Sequence, residues 1–107
     1  MIWKEVLLCV YGTLRDTLER YQVGTDTVKG ELYDAGNYPA IVNVDRGEDD
    51  IEVTVHLIPE TLLPYLDMYE GTPDLYQRVQ VQTKHGPAFI YEFNKPTTGL
   101  KRINKWR

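Results

Sequence analysis

Glu70 is the residue whose position points most directly to chemistry. It follows Asp67, Leu66 and Leu63 by three, four and seven positions, so on a helix it shares a face with two leucines. A carboxylate on an apolar face is costly to bury, and its pKa rises unless it is paired. A general acid or base that works near neutral pH needs such a raised pKa. A glutamate at a helix end that reaches solvent fits the same spacing, so both interpretations stay open.

A second candidate is the turn at residues 11–15, where an apolar strand leads directly into a predicted short helix. Gly12 permits the abrupt change of direction, and Thr13 is placed to cap the helix. Such a turn exposes successive backbone N–H groups, which bind a carboxylate or a developing oxyanion. A tight turn that needs glycine for its backbone angles explains the pattern without any binding role.

Tyr76 and Arg78 lie on the strand predicted to follow the Glu70 helix. They alternate there with the apolar residues Leu75 and Val79, which places both polar side chains on one face. Tyr76 would bring a hydroxyl near the site, and Arg78 would hold a carboxylate. A polar strand face in solvent is the simpler interpretation of the alternation.

Histidine and cysteine are scarce, which narrows the possible chemistry. The chain has two histidines, His56 and His85, and one cysteine, Cys9. A structural zinc site needs four such ligands, and one cysteine forms no internal disulfide, so a reducing compartment is expected. A metal site built from carboxylates is not excluded by this count. We expect His56 to be exposed on a strand and His85 to lie in a turn, neither of them catalytic.

Length and composition indicate one ordinary globular domain. With 107 residues, 42% apolar and 26% charged, we expect a single domain over residues 1–107. The net charge of −4 argues against nucleic acid as a partner. The chain lacks an apolar run of the roughly 20 residues that a membrane span needs, and its first residues do not resemble a signal peptide. A cytoplasmic location is therefore expected.

The hydrophobic pattern predicts a mixed arrangement of strands and helices. Two segments read as helices, one after Thr13 and one at residues 59–70 with Pro64 disturbing its first turn. Because strands and helices do not alternate regularly, we expect an α+β fold with a mixed sheet curled into a small barrel and a few flanking helices. The predicted strands are residues 5–11, 27–33, 40–44, 51–58, 75–83 and 88–94.

Taken in order along the chain, these segments resemble the gamma-glutamylcyclotransferase-like family, specifically its small single-domain branch related to gamma-glutamylamine cyclotransferase. No single motif decides the resemblance, but the ordered set is fairly specific and covers most of the chain. The matching stretches are residues 10–15 (VYGTLR), 30–40 (GELYDAGNYPA), 66–71 (LDMYEG), 75–79 (LYQRV) and 88–94 (AFIYEFN), with residues 103–106 as a further closing segment.

The resemblance implies a barrel-like sheet and a cofactor-independent enzyme that needs no metal. The implied substrate is a small γ-glutamyl amine or amide, whose own α-amine attacks the δ-carbonyl to give 5-oxoproline and a free amine. Glu70 is implied to be the acid/base. The resemblance implies that Tyr11, Gly12, Thr13 and Leu14 bind the substrate. Tyr76 and Arg78 are further substrate-binding candidates.

Residues 16–20 depart from the pattern of many relatives, which leaves the pocket wall and the substrate range open. Two other functions remain possible from the sequence. One is a non-catalytic protein that keeps the pocket and sequesters a small ligand. The other is an interaction domain that uses the basic residues 101–107 and the acidic residues 45–50. The sequence assigns neither the leaving amine nor the oligomeric state.

Overall fold

A seven-stranded mixed sheet forms the body of the protein, and a computed structural model describes residues 4–12 and 14–106 of it. The helices are α1 (Leu14–Thr17) and α2 (Leu63–Tyr69), with 3₁₀ turns at Glu19–Tyr21 and Glu60–Leu62. The strands are β1 (Glu5–Val10), β2 (Gln22–Asp34), β3 (Pro39–Val42), β4 (Asp49–Pro59), β5 (Tyr76–Thr83), β6 (Gly86–Phe93) and β7 (Lys101–Ile103).

The sheet has the order β3-β2-β4-β1-β6-β5, with β7 paired to β2 off this path. β1 and β6 are parallel, and the other pairs are antiparallel. The predicted α+β fold with a mixed, curled sheet is confirmed. The predicted closure into a barrel is wrong, because a closed barrel pairs every strand on both sides. Among the described residues, the four-residue β3 pairs only with β2 and β5 pairs only with β6.

β1 lies between two apolar cores, which explains its almost unbroken apolar sequence. Leu8 and Val10 pack into the core beneath the two helices, together with Leu66 of α2. Cys9 and Tyr11 point to the opposite core, formed mainly by β2, β4 and β6. The turn that follows β1 is therefore attached to a strand that is packed on both faces.

The helix expected at residues 59–70 is confirmed in part, and its first turn is the tight one that Pro64 predicted. Glu60–Leu62 forms a 3₁₀ turn, and α2 runs from Leu63 to Tyr69 with Pro64 near its start. The strand expected at residues 40–44 ends earlier, because Asn43 and Asp45 have φ angles of 54° and 68° and form a turn. β2 begins earlier than residue 27, since residues 22–26 pair with β4 through their backbones.

The prediction that His56 is exposed is wrong, because its side chain is fully buried. The alternation in β4 indicated a solvent face, but the chain after α1 covers that face. His56 Nδ1 lies 2.8 Å from the carbonyl oxygen of Leu18. His85 is exposed in the turn between β5 and β6, as predicted.

Candidate active site

A cleft opens where β1 ends, beside the C-terminal end of α2 and the loop that joins β2 to β3. Its enclosed part has a volume of about 50 Å³. Glu70 lines this cleft together with Tyr11, Gly12 and Leu14 of the predicted binding turn. Arg15 of that turn is not among the lining residues. Its lining consists of Cys9, Val10, Tyr11, Gly12, Leu14, Tyr38, Pro39, Glu70, Tyr76 and Tyr91.

The end of α2 holds the backbone of Glu70 in place. Gly71 has a φ of +67°, a left-handed conformation that glycine adopts without steric cost. Its N–H donates to the Met68 carbonyl at 3.2 Å, and the N–H of Thr72 donates to the Asp67 carbonyl at 2.9 Å. Together these two bonds form the Schellman motif that ends many helices. The glutamate therefore occupies the last position before a fixed turn.

The Glu70 side chain is partly buried, and no described residue forms a hydrogen bond or an ion pair with its carboxylate. Burial raises the pKa of Glu70 to about 7. Loss of hydration without a compensating partner disfavours the charged form, which is the cause of this shift. Near neutral pH the group therefore exists in both protonation states. This placement favours the buried interpretation of Glu70 over a side chain that simply reaches solvent.

Asp67, the other carboxylate of α2, has a different environment. Its Oδ1 accepts a hydrogen bond of 2.7 Å from the Tyr91 hydroxyl, and its Oδ2 lies 3.4 Å from Arg78. The Arg78 guanidinium also lies over the Phe89 ring, 5.0 Å from its centre. Arg78 is thus engaged by Asp67 and Phe89 and is not one of the cleft-lining residues. Its role in substrate binding stays a prediction.

The tyrosines of the cleft are held mainly by protein acceptors. The Tyr11 hydroxyl donates to the Tyr91 carbonyl at 2.6 Å, so the Tyr11 side chain is anchored inside the molecule. The Tyr76 hydroxyl donates to the Pro39 carbonyl, and burial raises the pKa of Tyr76, with the nearby Glu70 charge as a second cause. Sequence reasoning expected a Tyr76 hydroxyl near the site, and this hydroxyl joins the start of β3 to β5. The role of Tyr76 in substrate binding stays a prediction.

The turn after β1 requires glycine at position 12. A Cβ atom on Gly12 would lie 2.7 Å from Cγ of Pro39, closer than two carbon atoms can pack. The Gly12 carbonyl accepts hydrogen bonds from both the backbone N–H and the Nε of Arg15, each 3.1 Å long. Leu14 begins α1, so its N–H has no acceptor within that helix. Thr13, predicted as a binding residue, lies outside the described residues.

Sequence reasoning did not single out Tyr38, Tyr91 or Cys9, although all three line the cleft. Tyr38 and Tyr91 lie within the stretches at 30–40 and 88–94, but spacing alone did not show that they face α2. In the described part of the chain the Tyr38 hydroxyl has no hydrogen-bond partner, so it is available to a ligand. Burial, with Asp26 as a second cause, raises the pKa of the Cys9 thiol to about 12, which makes it a poor nucleophile.

Within residues 4–12 and 14–106, no three His, Cys, Asp or Glu side chains come together in a group suited to a metal ion. No helix in these ranges is long and apolar enough to cross a membrane.

Comparisons with known proteins point to one family. A family model described as gamma-glutamyl cyclotransferase, AIG2-like, matches residues 8–107. A Vibrio cholerae protein provisionally named gamma-glutamylcyclotransferase is 36% identical over 98 residues, 83% of each chain. Gamma-glutamylaminecyclotransferase A of Danio rerio is 26% identical over 119 residues, 82% of this chain and 74% of its own. The crystal structure of an AIG2-like protein from Mus musculus has a TM-score of 0.76 at 20% identity, covering 96% of this chain and 88% of that one, which shows the shared fold.

Proposed function

Since this chain belongs to the gamma-glutamyl cyclotransferase, AIG2-like family, we propose that it cyclises a γ-glutamyl amine or amide to 5-oxoproline and releases the amine. The observation that carries this proposal is the Glu70 carboxylate, which has no hydrogen-bond or ion-pair partner among the described residues. It has a pKa of about 7 and shares one cleft with Gly12 and Leu14. A general base and backbone donors are the parts that this reaction needs.

The reaction is intramolecular, so the enzyme supplies no nucleophile. The substrate α-amine attacks the δ-carbonyl carbon, a five-membered ring closes, and the bond to the leaving nitrogen breaks. When the enzyme holds the γ-glutamyl chain in its folded conformer, the amine lies next to the carbonyl carbon, and the entropic part of the activation barrier falls. The protonated Cys9 thiol fits this scheme, because no thiolate is required.

Glu70 performs both proton transfers in this scheme. As the carboxylate it accepts a proton from the substrate α-ammonium, which frees the lone pair that attacks the carbonyl. As the carboxylic acid it gives that proton to the leaving nitrogen while the bond to the carbonyl carbon breaks. The second proton, which the ring nitrogen loses on closure, passes to the released amine, and this leaves as an ammonium ion. A group with a pKa of about 7 suits both steps, because neither protonation state is strongly favoured near neutral pH. Glu70 ends the cycle in its starting form.

The turn after β1 supplies the donors. Gly12 and Leu14 line the cleft. In this scheme their backbone N–H groups hold either the substrate α-carboxylate or the oxygen of the tetrahedral intermediate. Tyr38 offers a hydroxyl to the same space, and the rings of Tyr76 and Tyr91 form apolar walls. Walls of this kind exclude water from Glu70 and so maintain its raised pKa.

The test is incubation of the protein with γ-glutamyl amines, γ-glutamyl dipeptides and glutathione, followed by measurement of 5-oxoproline. Calorimetry with the same compounds records binding independently of turnover. We expect 5-oxoproline and an equal amount of free amine from at least one class. Binding without product from every class would reject the catalytic proposal and favour a protein that sequesters a γ-glutamyl ligand.

A further inference from the structure

A polar pair, of which one member is fully buried and the other partly, lies on the strand next to β1. Thr54 and His56 are two residues apart in β4, so their side chains point to the same face. In the β1–β4 ladder Thr54 pairs with Val10 and His56 pairs with Leu8. The His56 side chain is 0% exposed. The pair therefore lies directly beside the point where β1 gives way to the binding turn.

Thr54 and His56 contact both ends of the segment that carries the turn. The Thr54 hydroxyl lies 3.2 Å from the Val10 carbonyl oxygen, just before the turn. His56 Nδ1 lies 2.8 Å from the Leu18 carbonyl oxygen, just after α1. Nε2 of the same ring lies 2.8 Å from Oγ1 of Thr54, which joins the two contacts into one chain.

We propose that Thr54 and His56 are positioning residues that fix the backbone of Gly12 and Leu14 from the strand next to β1. Neither residue lines the cleft. In this clamp, His56 holds the segment at the Leu18 carbonyl and Thr54 orients the His56 ring, while the β1–β4 ladder holds the other end of the segment at Val10. This role rests on the proposed function, because the position of Gly12 and Leu14 matters for catalysis only if the cleft carries out that reaction. The segment is also held by its own hydrogen bonds at Arg15 and Leu18, by the β1–β4 ladder and by the Tyr11 hydroxyl on the Tyr91 carbonyl.

The hydrogen-bond partners of His56 define the tautomer and the protonation state of its ring. Because the Leu18 carbonyl is only an acceptor, Nδ1 of His56 must carry a hydrogen. Burial lowers the pKa of His56, so the ring is neutral near neutral pH and Nε2 is an acceptor. The Thr54 hydroxyl then donates to Nε2 at 2.8 Å, in preference to the longer contact with Val10 at 3.2 Å. The clamp therefore requires the Nδ1–H tautomer of His56.

Nitrogen NMR of the intact protein tests the clamp without reference to activity. We expect the ¹⁵N shifts of His56 at pH 7.5 to show a protonated Nδ1 and an unprotonated Nε2. The opposite tautomer would overturn the proposal, because the Leu18 contact would then place two acceptors face to face.

Thr54→Val tests the consequence for the site, since valine keeps the shape and removes the hydroxyl. We expect backbone hydrogen exchange at residues 14–18 to accelerate about threefold to tenfold, and kcat/KM for 5-oxoproline release to fall by a similar factor. Thr54→Ser should restore both values. Thr27→Val, at an exposed threonine of β2, is the matched control and should change neither.

The outcomes separate the clamp from the proposed function. Wild-type exchange and wild-type kcat/KM in Thr54→Val would overturn the clamp. If the wild-type protein forms no 5-oxoproline, the proposed function fails, and the His56 tautomer with the exchange rates still decides whether the clamp exists. His56→Asn retains a donor near the Nδ1 position and serves as a second variant, with slower exchange than His56→Ala expected.

Discussion

Glu70 and Asp67 lie one helical turn apart near the end of α2, yet among the described residues only Asp67 has a charged partner. Arg78 and the Tyr91 hydroxyl engage both oxygens of Asp67, at 3.4 Å and 2.7 Å. Glu70 faces the cleft with no such partner among the described residues, and burial raises its pKa to about 7. The two carboxylates are thereby assigned different tasks, one in holding the wall of the cleft and the other in proton transfer.

The activity should depend on pH through Glu70. Because the base must be ionised to accept the ammonium proton, we expect kcat/KM to rise with pH through about 7 and then to level off on this limb. Initial rates of 5-oxoproline release between pH 5 and 9 in buffers of constant ionic strength measure this profile. An acid limb centred near 4.5, the ordinary pKa of glutamate, would contradict the buried state of the group.

Glu70→Gln should stabilise the fold above neutral pH. The folded pKa of about 7 exceeds the ordinary value of 4.5, so wild-type stability is fully present below 4.5 and falls as pH rises to 7. Glutamine does not ionise and avoids this loss. We expect the variant to gain about 2 kcal/mol at pH 8, less than the full linkage value because the side chain is partly exposed. Urea unfolding at pH 8 and at pH 4 checks this, and equal gains at both values would contradict it.

Gly12→Ala should disrupt the turn, because its Cβ would lie 2.7 Å from the Pro39 ring. We expect a stability loss of about 1 to 3 kcal/mol together with loss of most activity. Gly24→Ala is the matched control, since its Cβ meets the exposed His85 ring at 2.6 Å, which can swing into solvent. Thermal unfolding and product formation measure both variants. Equal effects from the two substitutions would mean that the turn is not specially constrained.

Tyr38 and Tyr76 should differ when their hydroxyls are removed. The Tyr76 hydroxyl satisfies the Pro39 carbonyl, so Tyr76→Phe should lower stability by about 1 kcal/mol. The Tyr38 hydroxyl is available to the cleft, so Tyr38→Phe should leave stability unchanged and raise KM about threefold to tenfold. Steady-state kinetics and denaturant unfolding separate the two effects. A lower Tm for Tyr38→Phe with unchanged KM would reverse the assignment.

Asp67→Asn should damage the structure more than the chemistry. It removes the ion pair with Arg78 and weakens the hydrogen bond from Tyr91, so we expect a loss of about 1 kcal/mol in stability. Because Asp67 transfers no proton in this scheme, kcat should fall less than tenfold. A loss of kcat as large as that of Glu70→Gln would make Asp67 the better candidate for the acid/base.

Local pattern was sufficient to predict the main strands and the helix face that Glu70 shares, while it left open whether the Glu70 side chain is buried or reaches solvent. The alternation of Ile51, Val53 and Val55 identified β4, and the leucines of α2 identified the face that Glu70 shares. Both signals depend on residues a few positions apart, and the regular geometry of one strand or one helix determines which of these residues share a face.

The errors came from contacts between distant parts of the chain. His56 was predicted to be exposed because Glu52 and Thr54 share its strand face, but that face is covered by Leu18, 38 residues away. The sequence also did not show which acceptor the Tyr76 hydroxyl meets, namely the carbonyl of Pro39, 37 residues away. The periodicity of a single strand or helix does not show which distant segment packs on its polar face. These contacts are therefore seen only in the three-dimensional structure.

The turnover of Glu70→Gln at saturating substrate and pH 7.5 tests the central claim most directly. Glu60→Gln, at an exposed glutamate that pairs with Lys4 on the surface, is the matched control. If Glu70 carries both proton transfers, its variant should fold normally and release 5-oxoproline at least about a hundredfold more slowly than wild type. The Glu60 variant should retain the wild-type rate. A Glu70→Gln protein that turns over as fast as wild type would contradict the account.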